Sequence, residues 1–409
     1  MSAPRVVVVG TGAAGIAAGL RLREAGVEHL ILEARDRVGG RAHTVEVGGQ
    51  PLDLGCGWLH RGERNAWAEL FARGGVPLDR TPPPWGGPAV TANFPPAEQA
   101  SFHRAFSALE DRLAEAAEHG SDRAAADLLE PGGRWNALLN AFSAAYNGAA
   151  FDRISVQDYA DFDAGETDIR APGGYGAGIA HAARGLPVRL NAPVARIAHG
   201  GPRVRVELAD GGAVEAEAAV VTLPASLLAR EAVRFDPPLP DKAEAAAGLP
   251  LGCAGKVFLH LEGAERDFAP ESLLYGSTAS ERTASFHIRP FGRPVVESYF
   301  GGDTAGELEA AGPEAAAATC IGWMADALGS AVRPRLRPLA ASAWSVDPWS
   351  LGAYSHALPG RVADRDRLAE PAGRLLFAGE ACSRQAYSSA HGAFETGRAA
   401  AEAALALLA

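Results

Sequence analysis

Read for the spacing of its apolar positions, the chain opens on an unbroken β-branched run, Arg5 to Val9, without the alternation of a half-exposed strand. Such a run suits a strand covered on both faces of a parallel sheet. Gly10-Thr11-Gly12-Ala13-Ala14-Gly15 follows, then a helical segment from Ile16 to Ala25 ended by Gly26. A second short strand, His29 to Leu32, runs into Glu33. Residues 97–146 read as amphipathic helices, with Phe102, Phe106, Leu109 and Leu113 at the spacing of a core-facing stripe. Gly173-Gly174-Tyr175-Gly176 is a loop ahead of a helix over 177–184, and Val188 to Ile197 reads as a strand. Arg203–Leu208 and Ala213–Glu217 alternate on either side of Asp210-Gly211-Gly212, which predicts a hairpin. Ala218 to Pro224 is a buried strand returning to the first sheet, and further strands are expected within 249–261 and 294–300. The last block predicts a strand at Leu375–Phe377, a turn at Gly379, a loop, and a long Ala-rich helix from about His391.

Composition narrows the field. A chain of 409 residues exceeds one ordinary core, so two domains are expected. The formal charge of −11, with no basic run interleaved with aromatics, argues against a nucleic-acid partner. Cys56, Cys253, Cys320 and Cys382 stand neither in C-x-x-C pairs nor at metal-ligand spacing, so no metal and no disulfide framework is expected, and a reducing, cytoplasmic compartment is. Met-Ser-Ala-Pro leads into the first strand without the regions of a leader, and no apolar stretch approaches the ~20 residues of a membrane span. A soluble protein without a membrane partner is expected; a homodimer is compatible with the sequence.

The first forty residues carry chemistry. Strand, glycine turn, helix, strand and an acidic residue about 20 positions on make up a dinucleotide-binding fingerprint in its required context. Gly10 permits the tight turn, Gly12 lets the backbone approach a pyrophosphate, and Gly15 lets the helix pack on the strand. The helix N-terminus, with Ala13 and Ala14, offers partial positive charge to the phosphates. Glu33 is expected to accept from ribose hydroxyls, and its charge disfavours a 2′-phosphate.

The residues after Glu33, Ala34-Arg35-Asp36-Arg37-Val38-Gly39-Gly40-Arg41, resemble the signature that follows the second strand in flavoproteins of the amine-oxidase type. Phe377-Ala378-Gly379-Glu380 and the later His391-Gly392-Ala393 are similar to the C-terminal run of the flavin-containing amine oxidases, including the polyamine oxidases, monoamine oxidases and lysine-specific histone demethylases. The resemblance implies bound FAD. It brings Arg35, Gly39, Gly40 and Arg41 to the pyrophosphate, Gly55, Cys56, Gly57 and Trp58 along the ring, and Val194 to the adenine. Leu223, Trp344, Gly379, Glu380, Ser389, Ala390 and Ala393 complete the implied cofactor set. Lys256 matches the family's buried lysine that holds a water near the flavin, and Tyr354 matches one wall of its aromatic cage. Trp344 and Trp349 are expected to line the same cavity, and His60 to sit at its rim.

Two departures from the family pattern bear on function. Ala353 stands where the monoamine oxidases carry a flavin-linking cysteine, so non-covalent FAD is expected. Ser389 stands where they place the second cage tyrosine, which is more similar to the polyamine oxidases and histone demethylases. The implied reaction is oxidation of a CH–NH2 or CH–NH donor by hydride transfer to flavin N5, with O2 as acceptor and H2O2 released. A polyamine or another primary or secondary amine is the expected substrate, with Lys256, Tyr354, Ser389, Trp349 and His60 as catalytic candidates.

The fold expected is α/β, a Rossmann-like FAD-binding domain (1–80, 171–245 and 365–409) interleaved with an α+β substrate-binding domain (81–170 and 246–364). A carotenoid desaturase or protoporphyrinogen oxidase-like flavoenzyme shares the N-terminal signature, but an apolar docking segment is missing. A non-catalytic FAD-binding scaffold is the remaining alternative.

Overall fold

The computed structural model describes residues 4–120 and 122–409; Met1–Ala3, where a leader was not expected, lie outside the described residues. A five-stranded parallel sheet has the order Leu375–Phe377, Ala218–Val221, Val6–Val9, His29–Leu32, Val188–Arg189. The absence of alternation in these strands now has its reason. Val6, Val8, Ala218, Val220 and Leu376 pack beneath the helices Ala13–Glu24 and Ala390–Leu408. Val7, Val9, Ala219, Val221, Leu375 and Phe377 face the opposite way, onto Ile197, Val206 and Leu208. The two helices lie so close that a Cβ at Gly397 would stand 2.1 Å from the Ala14 carbonyl oxygen. N- and C-terminal segments thus share one core.

The expected hairpin forms, Val204–Leu208 against Ala213–Ala216, inside a four-stranded sheet with Val194–Ala198 and Arg234–Asp236. The strand expected over Val188 to Ile197 is instead two short strands in two different sheets. Between them Asn191 turns with φ +52°, and Pro193 has no N–H for a ladder. The helix expected from Ile16 begins at Ala13, directly after the glycine turn. Residues 97–146 form helices Pro96–Glu118 and Asn136–Asn147, separated by a 3-10 turn at Ala125–Leu128. Phe102, Leu109 and Leu113 are core as expected, but Phe106 is only half-buried and faces a cavity.

The remaining large sheet is antiparallel, in the order Ser272–Tyr275, Ser285–Ile288, Val295–Gly301, Ala254–Leu261, Leu336–Ala341. Its period of two divides chemistry from packing. Val257, Leu259, Phe286, Ile288, Val296 and Phe300 form a core with Leu308, Cys320 and Met324. The alternate residues Lys256, Tyr275, Ser285, His287, Glu297 and Tyr299 face the cavity. Among the described residues, no helix is long and apolar enough to cross a membrane.

Candidate active site

One continuous cavity of about 790 Å³ runs from the glycine turn to the antiparallel sheet. Every residue that the sequence assigned to cofactor or substrate contact lines it, Gly15 excepted. Gly15 lies behind the turn, where a Cβ would come within 1.9 Å of the Gly10 carbonyl oxygen. Gly10 itself has φ +102°, a region that a side chain would strain.

At the glycine end, the second strand and the turn are tied through Glu33. Its carboxylate accepts from Thr11 N at 2.8 Å, Thr11 Oγ1 at 2.7 Å and Arg35 N at 2.9 Å. An ionised carboxylate has about four acceptor sites, so capacity for one further donor remains. Gly39 N donates to the Thr11 carbonyl at 2.8 Å, and a Cβ at Gly40 would meet Gly12 Cα at 3.1 Å. The two glycine pairs therefore face each other across the cleft entrance.

The Arg35 guanidinium donates to Asp347 Oδ2 at 2.6 Å and Ser350 Oγ at 2.9 Å. Trp349 belongs to this loop, its N–H donating to Asp347 Oδ1 at 2.8 Å, and it is 38% exposed. Trp349 therefore lines the cavity from the loop that Arg35 fastens. Trp344 is buried and donates from Nε1 to the Leu54 carbonyl at 2.9 Å, which orients the Gly55–Gly57 segment.

Midway, Arg41 joins the two ends of the chain. It donates to Glu380 Oε1 at 2.9 Å and to the Ala353 carbonyl at 2.7 Å. Glu380 also accepts from Ser355 Oγ at 2.5 Å and Ser388 N at 3.0 Å. Burial alone would raise the Glu380 pKa, but the neighbouring Arg41, Ser355 and Arg365 outweigh it, and the shift is downward. Ser389 lines the cavity, yet its hydroxyl is committed: it donates to the Ala386 carbonyl at 2.6 Å and caps the C-terminal helix by accepting from Gly392 N at 3.0 Å. That cap leaves the start of the helix, with Ala390 and Ala393, directed at the cavity.

At the far end lies an aromatic chamber. The Tyr354 and Tyr299 hydroxyls are 2.7 Å apart, and both reach the Ala145 carbonyl. Phe106, Phe142, Tyr146 and Tyr275 extend the lining, with the carboxylates of Glu110 and Asp168. His60 is held by Asp168, Nδ1 to Oδ1 at 2.7 Å. Trp58 is fixed beneath the Arg170 guanidinium at 4.5 Å and against Trp85 at 4.6 Å. Burial pushes the Cys56 thiol up to about 12, so this cavity cysteine stays protonated.

Lys256 is buried in the chamber wall, 8% exposed. Its ammonium meets Glu297 Oε1 at 2.7 Å and donates to the Asp53 carbonyl at 3.2 Å. A Cβ at Gly57 would stand 3.2 Å from Nζ, so the glycine makes room for the lysine. Glu297, Tyr299, Tyr275, Glu110 and Asp168 were not singled out in the sequence. For Glu297 and Tyr299 a signal existed: at i and i+2 of one strand they share a face.

The chain matches the family model for flavin-containing amine oxidoreductases over residues 13–98 and 89–405. It is 30% identical to polyamine oxidase 3 of Oryza sativa subsp. japonica, an alignment covering 98% of this chain and 88% of that protein. It is 27% identical to lysine-specific histone demethylase 1B of Mus musculus, covering 96% of this chain and 52% of that protein. Among solved structures, a putrescine oxidase bound to putrescine is similar with a TM-score of 0.81 at 21% identity, covering 98% and 99% of the two chains. The cyclohexylamine oxidase of Brevibacterium oxydans IH-35A gives 0.80 at 22%, covering 100% of both.

Proposed function

The chain belongs to the flavin-containing amine oxidoreductases and is an FAD-dependent amine oxidase, and we propose that it acts on a small diamine or polyamine with O2 as electron acceptor. The observation that carries this reading is the continuity of the cavity, which leads from the Glu33 turn past Lys256 into the aromatic chamber.

The residues present suit FAD. A Cβ at Gly12 would meet no protein atom within 4 Å, although Gly12 lines the cavity with ordinary φ of −68°. The need for glycine there comes from outside the chain, as a closely approaching pyrophosphate would require. Glu33 retains capacity for a ribose hydroxyl, and the starts of two helices, at Ala13 and Ala390, offer positive ends to phosphate and ring. Gly10, Gly39, Gly40, Arg41, Gly55, Val194, Leu223, Gly379 and Glu380 would hold the remainder. With Ala353 ahead of Tyr354, the group would be held without a covalent bond. FAD, when bound, would supply the electron sink for oxidation of the carbon next to nitrogen, with O2 and a proton accounting for the H2O2 released.

The chain's own residues handle the amine. An aliphatic amine titrates near 10 and arrives protonated, whereas its nitrogen lone pair must be free for oxidation. Tyr299, Tyr354 and Phe142 favour the neutral amine by withdrawing water from it. Glu110 and Asp168 offer negative charge to a second, still protonated nitrogen further along the same molecule. His60 would orient Asp168, Trp58 would set the chamber width, and Lys256 would fix a water beside the reacting centre with its remaining N–H. Similarity to proteins named polyamine oxidase and putrescine oxidase agrees with this choice. The free thiols of all four cysteines suit a reducing cytoplasm.

The test is peroxide release from a panel of monoamines, diamines, polyamines and an N-methyl-lysine peptide. Turnover of diamines or polyamines at the highest kcat/KM is expected; preference for monoamines or the peptide would refute the substrate class.

A further inference from the structure

Lys256 and Glu297 sit on neighbouring antiparallel strands, Glu297 opposite Phe258 and therefore diagonal to Lys256 on the cavity face. The diagonal is closed by the 2.7 Å contact of Nζ with Oε1, and both side chains are largely buried, 9% and 19% exposed. An ammonium has three N–H groups. One is aimed at Glu297 and one at the Asp53 carbonyl, which leaves a single donor and therefore a single direction for a third partner. Glu297 also faces a second, separate cavity of about 40 Å³, bounded in part by Asp53, Gly57, Trp58, Arg170 and Arg293. This space exceeds what one water needs and has polar walls. The carboxylate thus separates a chamber built to exclude water from a pocket able to hold it.

We propose that Glu297 is a positioning residue for amine oxidation: it fixes the Lys256 ammonium at the chamber wall and keeps it charged, with the small polar cavity as the pair's route for proton exchange. This rests on the reading that Lys256 acts beside the bound flavin. Without Glu297, a lone lysine in that aromatic wall would shed its proton or swing out, because burial disfavours an isolated charge. The other groups near the ammonium do not replace Glu297. The Asp53 charge adds to the attraction, but its carboxylate is taken up by Tyr175 N, Gly176 N and Thr44 Oγ1 and it is its backbone carbonyl that meets the ammonium, while Tyr299 and Cys56 are neutral. On its far side Glu297 is faced by His287, which is bonded to Glu271, and by Arg170, which is paired with Asp79 and Glu271.

The test compares Glu297→Gln, Glu297→Asp, Lys256→Met and the double variant Lys256→Met/Glu297→Gln as holoenzymes. Removing the carboxylate should let Lys256 lose its proton at lower pH. The basic limb of the pH profile for oxygen-driven flavin reoxidation should therefore move down in Glu297→Gln by about one pH unit or more. KM for the amine should stay unchanged, and Glu297→Asp should restore the limb. In thermal melts without substrate, Lys256→Met should melt below the double variant, because it alone leaves the buried Glu297 carboxylate without its ammonium while Arg170 and His287 stay engaged by other carboxylates. A basic limb in Glu297→Gln that coincides with wild type overturns the proposal, as does a double variant that melts no higher than Lys256→Met. Wild-type protein inert to every amine overturns the functional reading instead, and the melting comparison still tests the pair.

Discussion

Arg41 donates to Glu380 at 2.9 Å across 339 positions of sequence, fastening the segment after the second strand to the segment before the C-terminal helix. Both lie on the cavity, so the same contact that closes the fold also closes the proposed cofactor cleft. Arg41→Met leaves the Glu380 carboxylate buried with one partner gone. The cost expected is about 2–3 kcal/mol, below the range for fully buried pairs because the Arg41 side chain is 25% exposed. Urea unfolding of the cofactor-free protein measures it; an unchanged midpoint contradicts the clamp.

Gly12→Ala separates ligand space from protein space. Its backbone is ordinary and no protein atom stands near the added methyl, so the melting temperature of the cofactor-free protein should hold. FAD affinity should fall about tenfold or more, equivalent to at least about 1.4 kcal/mol. Fluorescence titration with FAD gives the answer, and undiminished affinity would remove the pyrophosphate from this turn.

Stability should decline on acidification partly through His391. Burial, with His60 and Arg61 adding like charge, pushes its pKa down to about 3 from an ordinary value of 6.5. Between those values the unfolded chain binds a proton that the folded chain refuses. The stability from neutral His391 is therefore complete above pH 6.5 and is lost as pH falls, at up to about 1.4 kcal/mol per pH unit. The melting temperature of His391→Gln should lie furthest below wild type at pH 7.5 and approach it by pH 5. A gap independent of pH would contradict this.

How much of this could be read from the chain depends on how local the cause is. The run from Val6 to Glu33 was legible because glycine turn, helix start and strand are decided within thirty residues. The hairpin at Asp210-Gly211-Gly212 was legible for the same reason. The break inside Val188–Ile197 was also written locally, in Asn191 and Pro193, but the apolar pattern outweighed them. Glu297 was not legible as the partner of Lys256, because their contact exists only once two strands pair. The fastening of the Trp349 loop by Arg35 was not legible, because the two lie more than 300 residues apart in the chain. Ser389 was read as a cavity wall from its motif, whereas its hydroxyl does the work of a helix cap.

Lys256→Met should keep FAD bound and slow turnover by about a hundredfold or more, the low end of what a positioned proton-handling group contributes. Steady-state kinetics with the preferred amine, alongside the flavin-to-protein absorbance ratio, checks both halves. Wild-type turnover in this variant would take Lys256 out of the mechanism.

The central claim is that an amine and a flavin meet in one chamber of this chain. Its most direct measurement is the visible spectrum of the purified protein on anaerobic addition of a diamine, followed by air. Bleaching of the flavin band by the amine, and its return with release of one H2O2 per flavin, is the result expected. A flavin band that no amine bleaches, or a protein that takes up no flavin, would contradict it.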